Sequence, residues 1–93
     1  MAEPLTGFLH IFRVEAPVDP VQASYRVAFA PLGGRLRGRH VTCDGLEGLT
    51  RILRRAHVST QMIERTWMAL ARRRIYSVAH VTLTQGELET LGL

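Results

Sequence analysis

The stretch from Tyr25 to Ala30, with Pro31-Leu32-Gly33-Gly34 behind it, constrains this chain more than any other. Tyr25, Val27 and Phe29 alternate with Ser24, Arg26, Ala28 and Ala30. One face is bulky and apolar, and the other is small or charged. An apolar face repeating every second residue marks a half-buried strand. Gly33-Gly34 suits a two-residue hairpin turn in which both central residues take positive φ. With that turn, Leu32 faces Arg35, Ala30 faces Arg37 and Ala28 faces Arg39. Tyr25, Val27 and Phe29 then share a core face with Leu36, Gly38 and His40, and Arg26, Arg35, Arg37 and Arg39 gather on the other face. A slip by one residue would bury arginines, so the pattern itself argues for this register.

The other elements follow from local pattern. Phe8 to Val14, FLHIFRV, is dense in β-formers. Phe8, His10, Phe12 and Val14 make one face and Leu9, Ile11 and Arg13 the other. Both are largely apolar, which predicts a central strand or one covered on both sides. Pro17 and Pro20 end it. Asp44 and Glu47 have the spacing of a capping box, and Leu46, Leu49, Ile52, Leu53 and Ala56 form the stripe of a helix ending near His57-Val58. Ser59 or Thr60 caps a second helix to about Arg74, with Ile63, Trp67 and Leu70 inward and Met62, Thr66 and Ala69 alongside. Arg72-Arg73-Arg74 suits its C-terminus electrostatically. Ile75 to Leu83 reads as a fourth strand. Thr84 and Glu87 make a second capping box, Leu83 and Leu88 a hydrophobic staple, and Gly92 a helix stop.

The order is β-β-β-α-α-β-α. It predicts an α+β fold with a mainly antiparallel sheet of three to four strands and helices packed on one face. The pairing of the first strand, with the second or with the fourth, is open. The chain has 93 residues, the length of one domain with one core, taken as 1–93. No apolar run reaches the roughly 20 residues of a membrane helix. The N-terminus lacks the basic region of a secretory signal, and a single cysteine, Cys43, allows no internal disulfide. These features favour the cytoplasm.

Twelve arginines stand against eight acidic residues, with no lysine and no asparagine. Codon bias in a GC-rich genome explains arginine in place of lysine. It does not explain the surplus, which leaves a net charge of +4 and favours anionic partners.

Catalytic and metal chemistry find little support. His10, His40, Cys43, His57 and His80 are the soft metal ligands, and His40 and Cys43, three apart on a strand, would project to opposite faces. No second close pair completes a zinc site. No base and orienting group flank Cys43 in a known nucleophile pattern, and the glycines do not form a phosphate loop. The expectation is no enzyme, no cofactor and no metal.

Leu49 to Leu70 has the outline of a helix-turn-helix. His57 stands where such turns often carry glycine, and bulky Leu53 where a tight helix crossing needs a small residue, so an ordinary αα-hairpin is the better reading. The arginine face is the stronger signal. Arg35, Arg37 and Arg39 at alternate positions, with Arg26 across the turn, repel one another, and an anionic partner relieves that repulsion. Arginine pairs well with phosphate and with guanine. No aromatic residues interleave with these arginines, which argues against base stacking on this face. The alternative is a solvated outer face that deters edge pairing. The sequence therefore points to a small binding module, nucleic acid ahead of protein, with Arg26, Arg35, Arg37 and Arg39 as the contact residues. The alternative is a protein-interaction or homo-oligomerising domain that uses the apolar first strand and the C-terminal helix.

Overall fold

A computed structural model describes residues 4–14, 22–34 and 38–93. They form β1 (Leu5–Arg13), β2 (Ser24–Pro31), β3 (Val41–Asp44), α1 (Gly45–Arg55), α2 (Thr60–Arg72), β4 (Ile75–Leu83) and α3 (Gln85–Leu91). The sheet is antiparallel throughout, in the order β3-β2-β1-β4. The α+β class and the element order are those the sequence predicts. β1 starts three residues earlier than Phe8 and pairs with both β2 and β4, which answers the open question of strand order.

The core lies between one face of this sheet and the helices. Leu9 and Ile11 of β1, Tyr25, Val27 and Phe29 of β2 and Val78 of β4 meet Leu49, Leu53 and Ala56 of α1 and Ile63 and Leu70 of α2. In α2 the fully buried third residue is Thr66, not Trp67, which is half-buried. A threonine tolerates burial here because its hydroxyl donates to the Met62 carbonyl one turn back, at 2.8 Å. Trp67 sits at the edge instead, its indole Nε1 donating to Thr50 Oγ1 of α1 at 3.0 Å.

Three further sequence expectations change. The turn after β2 is centred on Leu32 and Gly33, with the Gly34 amide donating to the Pro31 carbonyl at 3.4 Å. Of the two glycines, Gly33 has positive φ (68°) and Gly34 does not, the pattern of a turn needing glycine only at its third position. The β2–β3 register is also shifted by one. Arg26 pairs with Thr42 and Val27 with Val41, whereas a tight Gly33-Gly34 hairpin would set Val27 against His40. The reason is hydrophobic: this register turns Val41 and Cys43 inward and Thr42 and Asp44 outward, and it need not bury a histidine. Gly38, Arg39 and His40 are exposed and precede the strand.

β1 is a central strand, the first of the two alternatives its pattern leaves. Its Leu9–Ile11 face is buried, and its Phe8–His10–Phe12 face is not. Third, Asp44 is the N-cap of α1 without making a side-chain cap bond. Its Oδ1 accepts from Ser24 Oγ at 3.2 Å, and Glu47 pairs with Arg51 one turn on, at 3.2 Å. The cross-strand serine takes the aspartate away from the helix.

The second capping box forms as the spacing predicts. Thr84 Oγ1 accepts from the Glu87 amide at 3.1 Å, and Glu87 Oε1 accepts from the Thr84 amide at 2.9 Å. Leu83 and Leu88 are fully buried, and Gly92 adopts φ 82° as the helix stop. α1 closes differently. His57 takes φ 65°, and its amide and that of Val58 donate back to Arg54 and Leu53. This is a Schellman closure with histidine where glycine is usual.

Candidate functional site

The ladder registers place the side chains of the uncovered sheet face in rows. One row runs Thr42, Arg26, Phe12 and Ile75 across β3, β2, β1 and β4. The next holds Ala28, His10 and Ser77, and the one after it Ala30 and Phe8. Thr6 and Thr82 pair at the far end, their hydroxyls 2.8 Å apart. The face has an apolar and aromatic spine along β1, with small residues on β2 and hydroxyls around the rim. Phe12 (36% exposed) and Ile75 (54%) are open to solvent, while Phe8 and His10 are half-buried.

Two contacts organise the spine. The rings of Phe8 and His10 lie parallel, 6° apart in plane with centroids at 6.0 Å. His10 Nδ1 and Ser77 Oγ share a hydrogen bond of 2.6 Å, which holds the imidazole from β4. β4 carries a bulge opposite Phe8, where the ladder shifts between Gly7 and Leu9. His80 in the bulge has φ 59°, so the strand spends an unfavourable backbone geometry on letting Ala79 and His80 stand out, both exposed.

Arg26 lies on this face, exposed, with Phe12 as its cross-strand neighbour. Arg39 is exposed just before β3, outside the ladder. Arg35 and Arg37 lie outside the described residues. The observed register does not set Arg39 opposite Ala28, so it and Arg26 do not form one ladder face. Phe8, His10 and Phe12 share this face with Arg26, whereas the sequence pointed to the apolar first strand only as a protein contact. Their alternation in FLHIFRV was legible, but their place beside Arg26 depends on β1 pairing with β2. The Arg72–Arg74 run reaches the same end of the sheet, since the Arg74 carbonyl accepts from the Arg13 amide at 2.7 Å.

Few of the arginines are ion-paired among the described residues. Among the described residues the ion pairs are Arg51 with Glu47 and His57 with Glu87. Arg26, Arg39, Arg54, Arg55 and Arg72 to Arg74 have none there.

Other chemistry is sparse. The described residues hold no group of three His, Cys, Asp or Glu side chains placed to bind a metal, and no helix among them is long and apolar enough to cross a membrane. Burial, reinforced by the charge of Asp44, pushes the Cys43 thiol up to about 11, which makes it a poor nucleophile at neutral pH. Glu87 is held below the ordinary carboxylate range, first by the Thr84 amide and then by His57. It is therefore engaged in capping α3. His57 and His80 line one cleft beside the edge strand β4, and Trp67 with Leu46 and Thr50 lines an apolar hollow between α1 and α2. No known family model, curated protein or solved structure matches this chain.

Proposed function

We propose that this chain is a small, non-catalytic binding module for nucleic acid, which it engages through arginine on the open side of its sheet. The observation that carries this reading is Arg26, an exposed guanidinium on an uncovered face, without an ion pair among the described residues and with an aromatic neighbour. A guanidinium donates in a fork that matches phosphate oxygens. Arg39 stands at the approach to β3, and Arg35 and Arg37, which precede it closely in the chain, join the contact set by their charge alone. Phosphate contact comes first and base contact second. The net charge of +4 raises the local concentration of any polyanion.

The test is salt dependence. Binding of labelled single-stranded and duplex probes should weaken linearly in log-log salt titrations, by about one unit of slope per phosphate contacted. Replacing Arg26, Arg35, Arg37 and Arg39 by glutamine should weaken binding and lower that slope. If no probe binds at low salt, the reading is refuted.

A second reading, a protein partner or a second copy, draws on the solvent-exposed Phe12, Val14 and Ile75. It requires a concentration-dependent mass by light scattering that changes little with salt.

A further inference from the structure

We propose that the open sheet face takes a single-stranded nucleic acid, with unpaired bases laid on Phe8, His10 and Phe12 of β1. This rests on the nucleic-acid reading above and names its substrate class.

The three side chains occupy alternate positions of the central strand on its uncovered side. Alternate residues on a strand stand roughly 7 Å apart, about twice the 3.4 Å step of bases stacked on one another. Bases matched to these rings are therefore separated from each other and rest on protein. A duplex cannot do this, because its bases are stacked inside and offer only their edges. Sequence-tolerant binding of single strands joins aromatic platforms for the bases with a cationic track for the backbone. Both parts are present here. Arg26 flanks Phe12 across the ladder, and the Arg72–Arg74 run ends beside the Phe12–Ile75 row. The Ser77 hydroxyl holds the His10 ring parallel to Phe8, so part of the platform is pre-set before any base arrives.

A second copy of this chain fits the face less well. The β1–β2 ladder runs over seven pairs in a sheet four strands wide. That gives roughly 450 Å² per copy, against about 800 Å² per partner in a standard interface. A face-to-face pair would also bring together two chains that each carry +4.

The experiment uses the full chain, a labelled oligo-dT, an oligo-U and a duplex of equal length, read by fluorescence anisotropy over a salt series. Phe12→Ala and Phe12→Leu are the informative variants, because the Phe12 side chain is solvent-exposed and outside the core. Circular dichroism confirms that each variant is folded. The expected result is preference for the single strands over the duplex. Both variants should weaken single-strand binding by about tenfold, the leucine included because it keeps apolar area but loses the ring. Their salt slope should be unchanged, and Arg26→Gln should lower it by about one. Equal binding of single strand and duplex, untouched by either Phe12 variant while Arg26→Gln still lowers the slope, overturns this inference and leaves the nucleic-acid reading standing. Absence of binding to all three probes overturns both. A dimer that Phe12→Leu dissociates assigns the face to a second copy, and that also overturns the inference.

Discussion

Gly7→Ala should be among the most damaging single-atom additions this fold can receive. Gly7 is buried on β1, paired with Pro31 of β2 on one side and with Val81 of β4 on the other. A Cβ there would lie 2.1 Å from the Ala30 carbonyl oxygen and 2.7 Å from Pro31 Cα, well inside the roughly 3.5–4.0 Å at which carbons rest against each other. The obstructing atoms are backbone, so no side chain can rotate away. Relief requires one strand to move by about 1 Å. Movement of β1 away from β2 pushes it toward β4, where the ladder already shifts register. Overpacking usually costs about 1–3 kcal/mol, and a clash with backbone on a central strand belongs at the top of that range. At about 4–8 °C per kcal/mol for a domain of this size, the melting temperature should fall by about 12–24 °C. Gly33→Ala is the matched comparison. Nothing lies within 4 Å of its Cβ position, but its φ of 68° is left-handed, so the penalty is conformational and about 1–2 kcal/mol. Thermal and urea unfolding followed by circular dichroism should give the order wild type, Gly33→Ala, Gly7→Ala, with lowered midpoints and unchanged m-values. A Gly7→Ala protein melting within a few degrees of wild type, or above Gly33→Ala, would refute the close-approach argument.

At the other end of the fold, Thr84→Ala should cost about 1 kcal/mol through loss of the capping box. Leu88→Ala should cost about 2–5 kcal/mol, because the side chain is fully buried; an unchanged melting temperature for Leu88→Ala would mean α3 is not part of the core. Glu87 titrates below its ordinary range in the folded state because of the Thr84 amide and His57. Its contribution is therefore present above the unfolded glutamate pKa of about 4.3 and lost as pH falls through the lower folded value. Wild type should lose more stability than Glu87→Gln between neutral pH and about pH 3, and parallel acid profiles would count against this. Cys43, with its thiol near 11, should react with iodoacetamide far more slowly in the folded protein than in urea at mildly alkaline pH. Asp44→Asn should raise the folded rate only modestly, since burial is the larger cause; equal rates in the two states would show the thiol is accessible and unshifted.

Local chemistry in this sequence determined the α+β class, the element order, the bounds of β4, the capping box at Thr84 and Glu87 and the stop at Gly92. Each of these depends on residues within a few positions of one another. Only the tertiary structure decided which strands lie side by side and which face stays open. FLHIFRV has two apolar faces, and its pattern alone cannot tell a strand covered twice from one whose second face is left partly exposed. The hairpin register failed for a related reason: Gly-Gly permits a tight turn, but the inward placement of Val41 and Cys43 decided the pairing. Asp44 failed as a cap because its partner, Ser24, is distant in sequence. The juxtaposition of Phe12 and Arg26 was likewise invisible until β1 met β2, because cross-strand neighbours are set by the packing of the whole sheet and not by spacing along the chain.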